Sequence, residues 1–577
     1  MLKRILFTLF FASIFLILGY QIFSPLYFSD AIMIDYGIHP FNICTEQPVL
    51  WKYLKLWFCF TYLFSAFFIS NMLYHLFYQL FQKYFPTKKQ KKRNKRITTS
   101  KPSFISPTMN HPLQLFIGTN QNNDDIYLPE KSLYQNIFIT GTIGTGKTSS
   151  AMYPFTKQLI AYCATNKAKK LGMLILDIKG NYYQKVLEFA KQYSRMDDVI
   201  VIELNGKYKY NPLDKPNLKP SILANRLKTI LLLFSPNNSE SYWIDKSAQV
   251  LEECIKLCRL YNDNYVTFEE LHKLVTIPQY YQEKVNTLRE KFTNNELTQN
   301  DIYNLLSSLN FFQKEFLNLD QRTLSILKSE ITRITNCFLS DYEVLKTFNP
   351  SKNELNFFGF EDVLASGKIV VLNMNINEYT NLSKIIAAYL KLDFQTDVMT
   401  RLAKASSPNF RSVCFISDEY AEYCTATDAN FFAQSREAKC INIVATQSYT
   451  SLLNTLHEQS TVNVIIQNLI NKLWFRSDDI FTIESAQKQI GKEDKEKISR
   501  GISENAKETV FSYFTNSFNS RDSNISESIS TYIHNDFIYD TNFFTQSLQN
   551  FHCLAFLSDG NKIMPPEEIQ LFPYFKN

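Results

Sequence analysis

Eight consecutive residues, Gly141, Thr142, Ile143, Gly144, Thr145, Gly146, Lys147 and Thr148, satisfy every fixed position of G-x-x-x-x-G-K-[ST]. That spacing suits triphosphate chemistry. Glycines let backbone N–H groups close round phosphates, the lysine balances the β/γ charge, and the Thr148 hydroxyl reaches Mg²⁺. Glycine is scarce, 14 in 577 residues, yet three fall within six positions here, so an ordinary Gly-rich turn explains the run poorly. ATP and Mg²⁺ are the cofactors implied. Phosphoryl transfer further needs a carboxylate for the ion, a group that orients the attacking water, and positive charge near the transferred phosphoryl group. Two strand ends offer acids. Asp418 and Glu419 close Val413-Cys-Phe-Ile-Ser-Asp-Glu as a pair, Asp418 suited to the Mg²⁺ shell and Glu419 to polarising water. Asp177 closes Met173-Leu-Ile-Leu-Asp, where it serves equally well as a cap for the helix that follows. Gln447, at the tip of Ile441-Asn-Ile-Val-Ala-Thr-Gln, either senses the γ-phosphate or forms the turn. Arg436, between those last two strands, is either a finger acting on a neighbouring subunit's nucleotide, which requires a ring, or a solvent-exposed arginine.

Short apolar runs must place these groups. They recur at Asn136 to Thr140, Met173 to Leu176, Val199 to Glu203, Lys368 to Met374, Ser412 to Ser417, Ile441 to Ala445 and Leu554 to Leu557, with helical segments between them. Strands alternating with helices predict an α/β fold with a doubly wound, mainly parallel sheet, here of the RecA-like P-loop NTPase kind. From Pro220 to about Asp341 the strand signal gives way to helical periodicity: Ala248, Leu251, Ile255 and Cys258 share one face, as do Leu324, Leu327, Ile331, Ile334 and Phe338. The expected organisation is a nucleotide-binding domain over 126–219 and 342–577, interrupted by an all-α domain over 220–341. Residues 505 to 535, rich in Ser, Thr and Asn, read as a surface loop excursion.

The N-terminal part differs in composition. Ile5 to Phe23 is 19 residues without a charge, and Leu56 to Phe81 is a second uncharged run; each is long enough to cross a hydrocarbon layer of ~30 Å. Lys3 and Arg4 precede the first, and eight lysines and arginines between Lys83 and Arg96 follow the second. The positive-inside rule then predicts a two-span membrane hairpin over 1–82, both termini cytoplasmic, followed by a basic linker and lead-in over 83–125. At a membrane exit such a run reads first as a topology and anionic-lipid signal, and second as a nucleic-acid patch. The chain carries +6 overall, but residues 97 to 577 alone carry −3, so a DNA contact there must be a local lining, not a broadly basic surface. Ten cysteines, none in a C-x-x-C pair, indicate neither a disulfide framework nor a zinc site.

Taken in order, the membrane hairpin, the P-loop with Pro154 seven residues beyond Lys147, Leu176-Asp-Ile-Lys-Gly, Tyr210-Asn-Pro-Leu, Tyr242-Trp243, Ser417-Asp-Glu-Tyr, Ser435-Arg-Glu-Ala-Lys and Ala445-Thr-Gln-Ser make the chain resemble a type IV secretion coupling protein. That family comprises membrane-anchored hexameric ATPases of conjugation. The resemblance implies that Lys147, Thr148, Asp418, Glu419 and Gln447 lie at the nucleotide site and that Arg436 acts in trans. It also implies a homo-hexamer passing single-stranded DNA with its relaxase to the secretion channel. Two departures are evident. Ser417 interrupts the apolar run before the acid pair, and no separate acidic C-terminal tail is visible for relaxase docking. An FtsK-type double-stranded DNA translocase shares the ATPase core, but would add spans and a winged-helix domain where about 20 residues follow the last predicted strand. A membrane scaffold that binds ATP, or passes only protein effectors, is the other alternative.

Overall fold

The computed structural model describes residues 12–17, 48–84, 112–177, 179–233, 241–374, 376–404, 410–504, 511–512, 517–518 and 525–576. The chain divides into two compact units, 1–104 and 105–577. Within the first, Pro48–Tyr84 is a single helix whose Leu56, Trp57, Phe60, Phe64 and Phe68 are all exposed, whereas Ala66 and Ser70 are buried, as is Ala12. The Tyr62 hydroxyl donates to the Phe15 carbonyl (2.8 Å). No helix among the described residues is long and apolar enough to cross a membrane. Most of Ile5 to Phe23, the segment up to residue 47 and the basic run from residue 85 lie outside the described residues.

The second unit is built on one eleven-stranded sheet. Its strands are β1 (Gln114–Asn120), β2 (Asp125–Pro129), β3 (Ile137–Thr140), β4 (Gly172–Leu176), β5 (Val199–Glu203), β6 (Ile369–Asn373), β7 (Val413–Ser417), β8 (Cys440–Thr446) and β9 (Asn471–Trp474). After β10 (Lys492–Glu504), β11 (Phe511–Ser512), β12 (Ser517–Phe518) and β13 (Ile525–Phe537), which stand apart, come β14 (His552–Phe556) and β15 (Glu567–Gln570). The order across the sheet is β2-β1-β15-β14-β9-β3-β8-β7-β4-β6-β5. From β9 to β5 every pairing is parallel; from β9 outward through β14, β15, β1 and β2 every pairing is antiparallel.

Side chains alternate across the sheet as the pleat requires. On β3, Ile137 and Ile139 enter one apolar cluster with the helices Tyr153–Ala161 and Tyr182–Gln192, while Phe138 enters the other with the long helix Ile376–Lys404. With both faces covered, the central strands read as continuous apolar runs, which is why they were legible in the sequence. Among the described residues, seven α-helices lie between Pro220 and Phe348. Their apolar faces, Leu251, Ile255, Leu327 and Ile331 included, belong to the same buried cluster as Phe138 and Leu174 of the sheet, so sheet and helices share one core.

Three segments differ from expectation. Gln114–Asn120, inside the predicted lead-in, is β1 and joins the sheet. Leu554 to Leu557, predicted among parallel strands, lies antiparallel to both its neighbours, β9 and β15. No crossover helix connects it to β15, and a hairpin needs none. Of the predicted loop excursion, residues 505–510, 513–516 and 519–524 lie outside the described residues, and 525–535 belong to an antiparallel ribbon in which β10 and β13 pair over thirteen residues, Lys492 opposite Phe537 through Glu504 opposite Ile525. At ~3.3 Å per residue it extends about 40 Å. Lys492, Glu493 and Asp494 are all exposed, as are Thr531 to Asn535. With neither face buried at those positions there is no apolar alternation to read.

Candidate nucleotide site

Parallel strands β3, β8 and β7 lie side by side in that order and end on one edge of the sheet. The P-loop leaves β3, Gln447 follows β8, and the acid pair follows β7, so the topology brings three separated segments to the carboxyl ends of neighbouring strands, where α/β sheets bind ligands. Backbone bonds fix the loop. Gly141 N–H donates to the Gln447 carbonyl (3.2 Å) and Thr142 N–H to that of Arg476 (2.8 Å). Gly141 tolerates no side chain, since a Cβ there would lie 2.5 Å from the Cβ of Phe475. Gly146 has φ +98° and opens the helix that follows, a conformation glycine adopts without a Cβ penalty. That helix begins as a wide π-helical turn, Lys147–Met152, with Tyr153 N–H reaching the Thr148 carbonyl. Pro154 lacks the N–H that would close a normal turn on Ser150.

Lys147 is buried and its ammonium donates to the Gly141 and Thr142 carbonyls, inside the loop it must serve. Burial pulls its pKa down, against the raising influence of Glu419 and Asp418. The Thr148 hydroxyl donates to Asp418 Oδ2 (2.9 Å), joining the P-loop to the end of β7. Asp418 is 3 % exposed, and burial, reinforced by the neighbouring Asp177 charge, pushes its pKa up to about 6.

A hydroxyl and a buried carboxylate in contact, with a second carboxylate near enough to repel the first, form a donor set that gains from a hard cation. Among the described residues no group of three or more His, Cys, Asp and Glu side chains could hold a metal alone. Mg²⁺ takes one or two protein oxygens and completes its shell with phosphate and water. Thr148 and Asp418 are the residues that would hold it.

Glu419 sits in the left-handed region (φ 49°, ψ 42°), so the chain turns sharply at the acid pair and the two carboxylates take different partners. Its carboxylate pairs with Lys179 Nζ. Burial lowers the lysine's pKa, but the Glu419 hydrogen bond and nearby acids outweigh it and the net shift is upward. The turn is held from beneath by Tyr423, whose hydroxyl bonds Ser417 Oγ (2.6 Å) and donates toward the carbonyls of Asp418 (3.1 Å) and Leu176 (3.3 Å). Ser417, the polar interruption in the apolar run, is thus a buried hydroxyl with a partner. Asp428 anchors the far end of the segment. It accepts from Lys391 Nζ (2.6 Å), the Tyr420 hydroxyl (2.6 Å) and Gln395 (2.9 Å), with Lys391 and Asp428 both fully buried.

Asp177 lies beside this centre, and its oxygens accept from the backbone N–H groups of Lys179 (3.0 Å) and Tyr182 (3.2 Å). It caps the helix Tyr182–Gln192 while adding negative charge next to Asp418. Gln447 is exposed at the end of β8, beside Gly141. Arg436 is exposed but precedes β8, and seven strand residues at ~3.3 Å each separate it from the site edge, too far to serve its own subunit's nucleotide. The lysine of Leu176-Asp-Ile-Lys-Gly and Tyr423 carried no signal of their own in the sequence: one is a charge after a strand, the other an aromatic in an apolar stretch.

A P-loop and an acid pair at the carboxyl ends of a parallel sheet define a nucleotide-binding α/β protein of the P-loop class. Residues 123–525 match the family described as type IV secretion-system coupling protein DNA-binding domain, and the chain belongs to that family. Among solved structures it is similar to the bacterial conjugative coupling protein TrwB lacking its first 70 residues, in complex with sulphate. The TM-score is 0.53 at 12% identity, covering 80% of this chain and 94% of that one. It is also similar to TrwB with the non-hydrolysable GTP analogue GDPNP (0.52, 12%, 81% and 96%) and to TrwB with ADP and Mg²⁺ (0.52, 11%, 81% and 95%). At these identities the likeness concerns the fold. No curated protein sequence matches the chain.

Proposed function

We propose that this coupling protein is a membrane-anchored, ring-forming ATPase that delivers single-stranded DNA with its relaxase to a type IV secretion channel. The observation that carries the motor reading is the contact between Thr148 and Asp418 across two strand ends, with Lys147 and Glu419 on either side. Mg²⁺, when bound, would offset phosphate charge and orient the triphosphate. Lys147 turns from the loop carbonyls to the β/γ oxygens. Glu419, paired with Lys179, orients the attacking water and takes its proton. Gln447, at the end of β8, would sense the γ-phosphate. Arg436, exposed on the opposite edge, would act on a neighbouring subunit's nucleotide in a homo-hexamer. That TrwB has been crystallised with ADP and Mg²⁺ and with a GTP analogue supports nucleotide turnover as the driving reaction.

The anchor rests on the two uncharged runs, the basic run after the second, and the exposed aromatic side chains of Pro48–Tyr84. The expected location is the bacterial inner membrane with both termini cytoplasmic. A DNA path need only be a sequence-blind backbone lining, which suits a pump and the −3 charge of residues 97–577.

The test is ATP hydrolysis by the detergent-purified full chain with and without single- or double-stranded DNA. Single strands should stimulate hydrolysis, Lys147→Ala should abolish nucleotide binding, and Glu419→Gln should bind ATP but turn over roughly 10²–10⁴-fold more slowly. An assembled ring that neither binds DNA nor responds to it would remove the pump and leave an ATP-binding scaffold.

A further inference from the structure

Beyond the triphosphate, the structure offers a seat for the nucleoside. The start of the P-loop helix, Lys147–Met152, packs against β8, a strand buried throughout, and against the turn Tyr574–Lys576, where Phe575 is exposed. The exposed side of that turn is open to a ribose and base leaving the α-phosphate.

Two phenylalanines stand there. Phe551 precedes β14 and its N–H donates to the Thr145 carbonyl inside the P-loop (3.0 Å), while its own carbonyl accepts from Leu571 N–H (2.8 Å). Its ring lies so close to Gly146 that a Cβ on that glycine would come within 2.4 Å of Phe551 Cδ1. Phe551 also has φ +66°, a left-handed conformation that a bulky residue adopts at a cost and that Gly or Asn would take more easily. The aromatic side chain is thus held at the loop against the local backbone preference. Phe575 is 57 % exposed, and its ring centroid lies 6.2 Å from that of Phe551 at 72°. Its neighbour Tyr574 is engaged already, edge-on to Tyr153 at 5.1 Å and beneath Lys185 Nζ at 4.7 Å.

We propose that Phe551 and Phe575 form the aromatic corner that receives the purine base, Phe575 offering a face and Phe551 an edge, so that they set affinity for a nucleoside triphosphate over a bare polyphosphate. The proposal rests on the nucleotide reading of the P-loop. Stacking on one ring, with no demand on the base's edge, suits any purine.

The experiment is equilibrium binding of ATP and of inorganic tripolyphosphate, each with Mg²⁺, to the detergent-purified full chain and its variants. Phe575→Ala removes an exposed ring and should weaken ATP roughly tenfold while leaving tripolyphosphate unchanged. Phe575→Trp should restore ATP binding, and Phe551→Leu should shift ATP in the same sense as Phe575→Ala. Unchanged ATP affinity in Phe575→Ala, or equal losses for both ligands, would overturn the proposal. The nucleotide reading fails separately, and takes the proposal with it, should Lys147→Ala bind ATP as tightly as the unaltered chain.

Discussion

Replacing Asp177 with Asn tests the electrostatics of the acid centre. Asp418 moves from an ordinary 3.8 to about 6, a loss of ~3 kcal/mol in its preference for ionisation. Burial is the larger cause and the Asp177 charge the next, so neutralising Asp177 should return the smaller part and lower the Asp418 pKa from about 6. A raised carboxyl pKa means that Asp418 of the free enzyme is protonated below about pH 6 and cannot help hold Mg²⁺. The acid limb of kcat/KM for ATP reports the free enzyme. It should fall near pH 6 in the unaltered chain and move to lower pH in Asp177→Asn, while the plateau changes little, since Asn retains a carbonyl oxygen to accept from Lys179 or Tyr182 N–H. Steady-state ATPase rates between pH 5 and 8 at saturating Mg²⁺ provide the measurement. An acid limb that stays in place or moves to higher pH would refute the coupling between the two carboxylates.

Lys391→Met leaves Asp428 a buried, unpaired charge and should cost ~3–5 kcal/mol, seen as a lower apparent Tm. The same change should slow ATP turnover more than it weakens ATP binding, because Asp428 holds the segment that positions Glu419. Lys472, 2 % exposed on β9, has its pKa lowered to about 8 by burial alone. Its ammonium penalises folding below pH 8, and the penalty fades as pH rises from 8 toward the unfolded value of 10.5. Lys472→Met should therefore stabilise the protein at pH 7 by about 2–3 kcal/mol, with the gain shrinking as pH rises toward 10.5 in thermal melts.

Legibility in the sequence followed burial pattern. β3, β4, β7 and β8 are covered on both faces, so their apolar runs announced strands, and the loop and acids at their ends could be placed. β1, which continues the antiparallel side of the sheet, carries mixed burial, and its polar residues read as linker. Residues 525 to 535 of β13, exposed from Thr531 to Asn535, read as loop. Ser417 looked like a defect in an apolar strand until Tyr423, six residues on, supplied its partner.

What the sequence determined alone is chemistry carried by contiguous residues: a phosphate loop needs its glycines, lysine and hydroxyl within eight positions, and an acid pair needs only adjacency. What the tertiary structure decided is every relation between distant segments. It put Thr148 against Asp418. Lys179 came onto Glu419, and Asp177 close enough to raise its neighbour's pKa. The same folding set Arg436 on the far edge of the sheet and Phe551 against the loop. Those relations depend on the order in which β3, β8, β7 and β4 lie side by side. Strand order is fixed by packing of whole faces, and no local spacing records it.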